Sequence, residues 1–333
     1  MRTFPKKQLF LGIVLLVLSV CLHLVFGSVS ISFVDIVNGN LSDLDATIIK
    51  DLRWPKVLTS ICIGAGLSAA GLLMQALFRN ALAGPSILGV SSGASMGVAL
   101  FVLGPATWWF ANLDLLWGKV LSAFIGCLLV MSLVLLLTKK VKSNIAILIV
   151  GVMIGSIASS LVGFLQFISN AEDLQSFVLW TLGSTFIEDS TMLLVLMVLT
   201  GLGVIALLMR KNGIKYLLLP QEQAQLLGLN ILSLKRYYII VSCVLVGVIT
   251  AFCGPIAFVG LMVPHAVRYL SKEDNPSLLL LPCVIFGAAI MVFSSWLASI
   301  PGSELSVPIN IVTSMFGAPI VILLLLKSRW NNG

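Results

Sequence analysis

Residues 191–209 read TMLLVLMVLTGLGVIALLM, nineteen positions without a charge. Coiled as a helix at about 1.5 Å per residue, such a run covers the roughly 30 Å hydrocarbon thickness of a bilayer. Similar runs lie on both sides of it. The predicted segments are 8–28, 57–78, 87–104, 116–138, 144–168, 191–209, 237–252, 256–267, 277–299 and 309–326. The composition agrees: of 333 residues, 59% are hydrophobic and only 10% charged, with mean hydropathy +1.11. A soluble chain carries about 25% charged residues, so this one cannot cover a water-exposed surface. A cytosolic enzyme, a secreted disulfide scaffold and a disordered tail are excluded. An outer-membrane barrel is too, since its strands alternate over about ten residues. The expectation is an all-α polytopic membrane protein of about ten transmembrane helices, forming one transmembrane domain over residues 1–333.

Two segments need comment. Segment 256–267 is too short to cross as a straight helix. Either it is half-buried, or it shares irregular backbone with the preceding segment around Gly254 and Pro255. The first segment follows Arg2, Lys6 and Lys7 like a signal peptide, but no small-x-small cleavage site follows it and it is long enough to span. With the N-terminus in the cytoplasm, sixteen Lys and Arg fall inside and four (Lys50, Arg53, Lys56, Lys119) outside. Three acids (Glu222, Glu273, Asp274) fall inside and ten outside. The positive-inside bias therefore puts both termini in the cytoplasm. The net charge of +7 is a topology signal and does not call for nucleic acid.

The chemistry-bearing residues are sparse. No Asp, Glu, Lys or Arg lies near the middle of a predicted span, where proton-coupled carriers keep one. The only Gly-Lys, Gly118-Lys119, lacks the glycines of a phosphate loop, so ATP hydrolysis and its Mg are expected in a separate partner and no cofactor in this chain. His23 and His265 stand in different segments, which supplies neither a metal site nor the base of an embedded enzyme. The six cysteines all sit in apolar segments without a CxxC pair and read as buried small residues. Glycines at 89, 93 and 97, and small residues at 151, 155, 159 and 163, form two ridges at four-residue spacing. Such ridges admit a close helix neighbour, either within the subunit or at a moving interface or pore.

Three stretches are more specific. From Gly64 to Ala94, Gly71 and Gln75 precede Arg79-Asn80, a tight turn follows, and Pro85 and Gly89 open the next helix, which carries Gly93. Residues 210–236 form the longest inside connection. Within it Pro220 to Leu229 read as a short amphipathic helix with a glycine stop at Gly228, and Asn230 to Arg236 as a further short helix. Such a helix suits a groove on a soluble partner, or lies on lipid. In the third stretch, Gly254, Pro255, Gly260 and Pro264 bracket a short apolar piece ending at His265 and Arg268.

Together with Trp180-Thr181-Leu182-Gly183-Ser184 and Phe316-Gly317-Ala318-Pro319, these stretches resemble, in order and over nearly the whole chain, the type II permease family of binding-protein-dependent ABC importers for iron–siderophore complexes, haem and cobalamin. The resemblance implies a subunit of the bacterial cytoplasmic (inner) membrane, paired with a second permease subunit, normally as a homodimer. Two ABC ATPase subunits bind below and an extracytoplasmic substrate-binding protein above. It implies ATPase contact through segment 219–236, at Gln221, Glu222, Ala224, Leu227, Gly228 and Leu229. It implies binding-protein docking at Arg53 and Lys56, within a match to the family's Leu-Arg-x-Pro-Arg. Two departures stand out: Lys56 replaces an arginine and loses its fork geometry, and Ser299 stands where the family often has a third outer arginine. Residues 145–168 and 170–190 resemble the path-lining helix and an outer short helix, with Ser143 and Asn144 as inner-gate candidates. The expected solute is an iron chelate, with haem or cobalamin as the alternative inside the family. A stand-alone secondary carrier is the alternative outside it, although no convincing internal repeat supports one.

Overall fold

A computed structural model describes residues 6–104, 114–138, 144–219, 223, 226, 230–300 and 306–330. They are helical, with no strand among them. In chain order the helices are α1 (Lys6–Val25), α2 (Phe33–Asn38), α3 (Asp43–Thr47), α4 (Trp54–Phe78), α5 (Val90–Val102), α6 (Leu115–Thr138), α7 (Asn144–Ile168), α8 (Ala171–Thr181), α9 (Ser190–Met209), α10 (Lys211–Ile214), α11 (Ile231–Cys253), α12 (Val259–Ser271), α13 (Pro276–Ala298) and α14 (Ile309–Trp330). A π-helical turn, Ile48–Arg53, leads into α4, and 3-10 turns occupy Pro85–Leu88 and Lys215–Leu218. Seven helical stretches are long and apolar enough to cross a membrane, while Val90–Val102 and Ile309–Leu323 are shorter apolar pieces. Each predicted segment thus meets a helix. α5 and α12, at thirteen residues, reach only about 20 Å.

α4 is the axis of the bundle, buried along almost its whole length. Its small residues let neighbours approach backbone to backbone. A Cβ on Gly64 would lie 2.0 Å from the Gly287 carbonyl oxygen of α13, and one on Gly71 would lie 1.7 Å from that of Gly260 in α12. Beside the first crossing, the Ser68 hydroxyl donates to Cys283 O at 2.7 Å. The ridge on α5 is used in the same way, since Gly93 faces the Gly126 carbonyl and Gly97 that of Ser122 on α6. That ridge therefore serves packing within the chain. On α7, Gly155 meets Gly89 and Ser92, but a Cβ on Gly163 would meet only open space. α7 and α9 turn large apolar side chains outward, among them Ile149, Met153, Phe167, Leu194 and Leu202. On α9 that suits lipid, whereas the exposed side of α7 also carries the hydroxyls of Ser156 and Ser160.

Two expectations change in detail, and an open choice is decided. Pro85 opens a 3-10 turn rather than the helix, and α5 starts at Val90, because Gly89 takes φ 75° and its Cβ position lies 2.9 Å from the Gly151 carbonyl oxygen. Asn230 to Arg236 are not a separate short helix. The Asn230 side chain accepts from Ser233 N–H at 3.0 Å and caps α11, so residues 231–236 are its first turns. Between α11 and α12 the backbone is irregular: Gly254 has φ 75°, and Phe258, a bulky residue, has φ 66°. The second of the two options for segment 256–267 is therefore the one observed.

Candidate functional site

The 25 residues of α4 separate two functional ends by roughly 37 Å. One end carries Arg79 and the other Arg53 and Lys56.

At the Arg79 end α4 stops on Arg79 itself, in the left-handed region at φ 50°, ψ 37°. Asn80 N–H returns to Gln75 O at 3.1 Å, and the Asn80 side chain accepts from Leu82 N–H at 2.9 Å. This is a helix stop followed by an Asx turn. The Arg79 guanidinium then crosses to the 210–219 connection. Nε and Nη2 each lie 3.3 Å from Leu217 O, and Nη2 also donates to Leu219 O. The same connection is held elsewhere by Tyr238 Oη donating to Arg210 O at 2.6 Å, and by Lys215 N–H donating to Ser277 Oγ at 3.3 Å. Ile214 and Leu217 are buried beneath it.

One turn inside Arg79, Gln75 joins α12. Its amide nitrogen lies 3.2 Å from His265 Nδ1, and its Oε1 accepts from Arg268 Nη1 at 3.3 Å. His265 Nδ1 also lies 2.9 Å from Leu261 O, one turn back along α12. The structure thus brings together Gln75, Arg79, His265 and Arg268 from two separate sequence stretches. No group of metal-ligating side chains occurs among the described residues. Of the expected ATPase contacts, Gln221, Glu222, Ala224, Leu227, Gly228 and Leu229 lie outside the described residues, as does the gate candidate Ser143. Asn144 starts α7. Gly317 and Pro319 lie within α14, where Gly317 leaves room for the Phe258 side chain, its Cβ position being 2.5 Å from Phe258 Cβ.

At the other end, Arg53 and Lys56 line a cavity of about 110 Å³ with His23, Ser299 and Ser306. The two cations differ in use. The Arg53 side chain is 6% exposed, and its guanidinium donates to Leu24 O in the last turn of α1 and to Val29 O beyond it. Gly27 stands 3.0 Å from Arg53 Nη2 when a Cβ is placed on it, so glycine is what lets the loop wrap the guanidinium. Lys56 is half-buried, with Nζ 5.9 Å from the centre of the Phe186 ring. It also borders a second cavity of about 280 Å³ whose polar lining includes Thr185, Ser295 and Ser306. Behind it a chain of polar side chains runs from His23 Nε2 to Ser295 Oγ (3.3 Å) and on to Thr185 Oγ1 (3.0 Å).

The Trp180–Ser184 stretch ends α8 at the α11–α12 break. Gly183 takes φ 74°, Ser184 N–H donates to Cys253 O at 2.8 Å, and Asn310 N–H donates to Leu182 O at 3.3 Å. Asn310 Oδ1 in turn accepts from Ala257 N–H at 3.1 Å. The irregular backbone at Gly254 is therefore satisfied by two other elements. The carbonyl partners of Arg53 and Arg79 are invisible to a sequence reading, because any residue can supply a carbonyl. The Gly64–Gly287 and Gly71–Gly260 crossings did have a signal, the small residues 64, 68 and 71 on one face of α4.

Comparison with known proteins agrees with this geometry. The FecCD transport family profile matches residues 15–327. The chain is 32% identical over 329 residues to the hemin transport system permease protein HmuU of Yersinia pestis, covering 98% of each chain. It is 32% identical over 292 residues to the vitamin B12 import system permease protein BtuC of Photorhabdus laumondii, covering 87% of this chain and 85% of that one. Among solved structures, an inward-facing metal-chelate type ABC transporter superimposes with a TM-score of 0.84 at 30% identity, over 97% of this chain and 99% of that one. With the profile spanning almost its entire length, this chain belongs to the FecCD transport family.

Proposed function

We propose that the chain is the permease subunit of an ATP-driven importer that moves a bulky metal chelate, foremost an iron–siderophore complex, across the bacterial cytoplasmic membrane. The single observation that carries this is the likeness in sequence and fold, end to end, to a metal-chelate type ABC transporter. The haem and vitamin B12 permeases among its relatives carry metal macrocycles, so both solutes remain candidates within the same function. The Arg79 end faces the cytoplasm, as the Lys and Arg bias requires, and segment 219–236 meets the ATPase subunits. The Arg53 end receives the binding protein. There Lys56 offers its charge to an acidic partner patch, while Arg53 holds the surface in shape. Two copies of the chain flank the path.

The test is reconstitution in liposomes with its ATPase and binding-protein partners, offering in turn a ferric hydroxamate chelate, haem and cyanocobalamin. Accumulation of one of them, dependent on ATP and on the binding protein, is the expected result. Uphill uptake by the lone chain, or no dependence on ATP, refutes the proposal.

A further inference from the structure

Arg79 occupies a position that a residue with a side chain fills at a cost. The residue after a helix is most cheaply glycine when it adopts left-handed backbone, because any side chain there crowds the neighbouring carbonyl. At φ 50° Arg79 accepts that conformation. What offsets it is the bond set to Leu217 O and Leu219 O. Leu217 lies in the 3-10 turn Lys215–Leu218, and Leu219 follows it, its N–H closing the turn on Tyr216 O at 3.2 Å. The guanidinium therefore grips main chain, and it does so where the connection runs into segment 219–236. α11 and α13 grip the same connection at Arg210 and Lys215. Arg79 adds the grip of α4.

Attachment to α4 has a mechanical consequence. α4 touches α13 and α12 through glycine against carbonyl, with no flexible side chain between them at Gly64 and Gly71. Close-packed contacts of that kind transmit displacement instead of absorbing it. We infer that Arg79 is the strut through which movement of segment 219–236 enters α4 and, from there, the α12–α13 pair. It is a positioning residue for transport, and the inference rests on the proposed reading of segment 219–236 as the ATPase contact. Lysine cannot replace it fully, because one ammonium lacks the planar set of donors that spans two carbonyls.

The experiment uses the full complex of permease, ATPase and binding protein, with Arg79→Ala, Arg79→Gly and Arg79→Lys. Glycine takes the left-handed backbone without strain, so Arg79→Gly keeps the helix stop while removing the grip. All three variants are expected to retain their ATPase subunits and to hydrolyse ATP near the wild-type rate. Uptake per ATP hydrolysed, read with the same three probes, falls about tenfold or more in the alanine and glycine variants and less in the lysine variant. Nitroxides at Leu82 and Leu226, both exposed, keep one separation in the wild type when an ATP analogue with Mg binds, and change it in Arg79→Gly. Unchanged uptake per ATP, a parallel fall of uptake and hydrolysis, loss of the ATPase subunits from Arg79→Gly, or a constant nitroxide separation in that variant each overturns the strut. Replacing residues 221–229 by a Gly-Ser linker separates the two levels. If the ATPase subunits still bind, the reading of the segment fails and the strut with it. If they dissociate while Arg79→Gly couples normally, only the strut fails.

Discussion

Alanine at position 71 should be far more damaging than its size suggests. The Cβ it adds lies 1.7 Å from Gly260 O, 2.5 Å from Gly260 C and 2.8 Å from Gly260 Cα, whereas ordinary contact begins at 3.4 Å. All three atoms are backbone, so no rotamer change relieves the clash. α12 must retreat from α4 by about 1.7 Å, in a bundle packed as densely as an organic crystal. It has little room for that, because Gly260 is itself flanked by Pro85, with 2.6 Å between its Cβ position and Pro85 Cγ. Retreat also stretches the bonds from Gln75 to His265 and Arg268. Overpacking costs about 1–3 kcal/mol, and a strained polar contact adds about 1 kcal/mol. Gly71→Ala should therefore lose about 2–4 kcal/mol.

The control is the same chemical change at Gly163, where the added methyl meets nothing within 4 Å. In a helix interior that substitution should be neutral or stabilise by up to about 1 kcal/mol. Thermal unfolding of the two purified variants in one detergent, followed by tryptophan fluorescence, gives the comparison. Gly71→Ala should unfold well below the wild type and Gly163→Ala at or above it. If both melt with the wild type, or shift together, the α4–α12 crossing is not the close contact described.

Other outcomes follow from the same contacts. Arg53→Ala removes a donor from the Leu24 and Val29 carbonyls, which lie near enough to the surface to find water instead, so it should lower stability by about 1 kcal/mol in thermal unfolding. Lys56→Glu should leave the melting temperature unchanged and weaken binding-protein association in a salt-sensitive way, read by co-purification at two ionic strengths. Tyr238→Phe removes the bond to Arg210 O and should cost about 1 kcal/mol by thermal unfolding, with no loss of the ATPase subunits. Gln75→Leu should destabilise by about 1–3 kcal/mol, because it leaves Arg268 and His265 short of a partner next to α4.

Helices were legible in the sequence because lipid and backbone chemistry leave few options for an apolar run. Boundaries were less legible where backbone geometry decides them. Gly89 reads equally well as a helical ridge residue or as the left-handed stop it is, since glycine permits both. Asn230 could begin a short helix or cap a long one, and only the continuity of α11 resolves it. Phe258 carries no signal at all for its positive φ, which it takes next to Ala257, whose N–H is held by Asn310 Oδ1. The motif residues Gln75, Arg79, His265 and Arg268 were visible singly. Their common location was not, because α4 and α12 are nearly two hundred positions apart in the chain, with Gln75 and His265 separated by 190.

The polar groups between the two ends also say where selectivity can reside. Ser60, Ser68 and Ser294 donate to backbone carbonyls of their own or neighbouring helices, at 2.6, 2.7 and 2.8 Å. On the open side of α7, Ser156 and Ser160 bond back to Val152 O and Ser156 O. Under the proposed function, a solute passing such a face meets apolar surface and hydroxyls already engaged, which bind it weakly. That is an advantage for a conduit, since every 1.4 kcal/mol of affinity midway slows release about tenfold. On the same reading, discrimination among chelates comes before the solute enters, at the step proposed to occur where a binding protein meets the Arg53 end. Under the proposed function, a chimeric binding protein that keeps the surface docking on Lys56 but carries another ligand domain should redirect the transporter to that ligand. Substituting Ser156 and Ser160 by alanine should leave the choice of solute unchanged. A switch in solute preference from the α7 substitutions would place recognition inside the membrane and refute this division of labour.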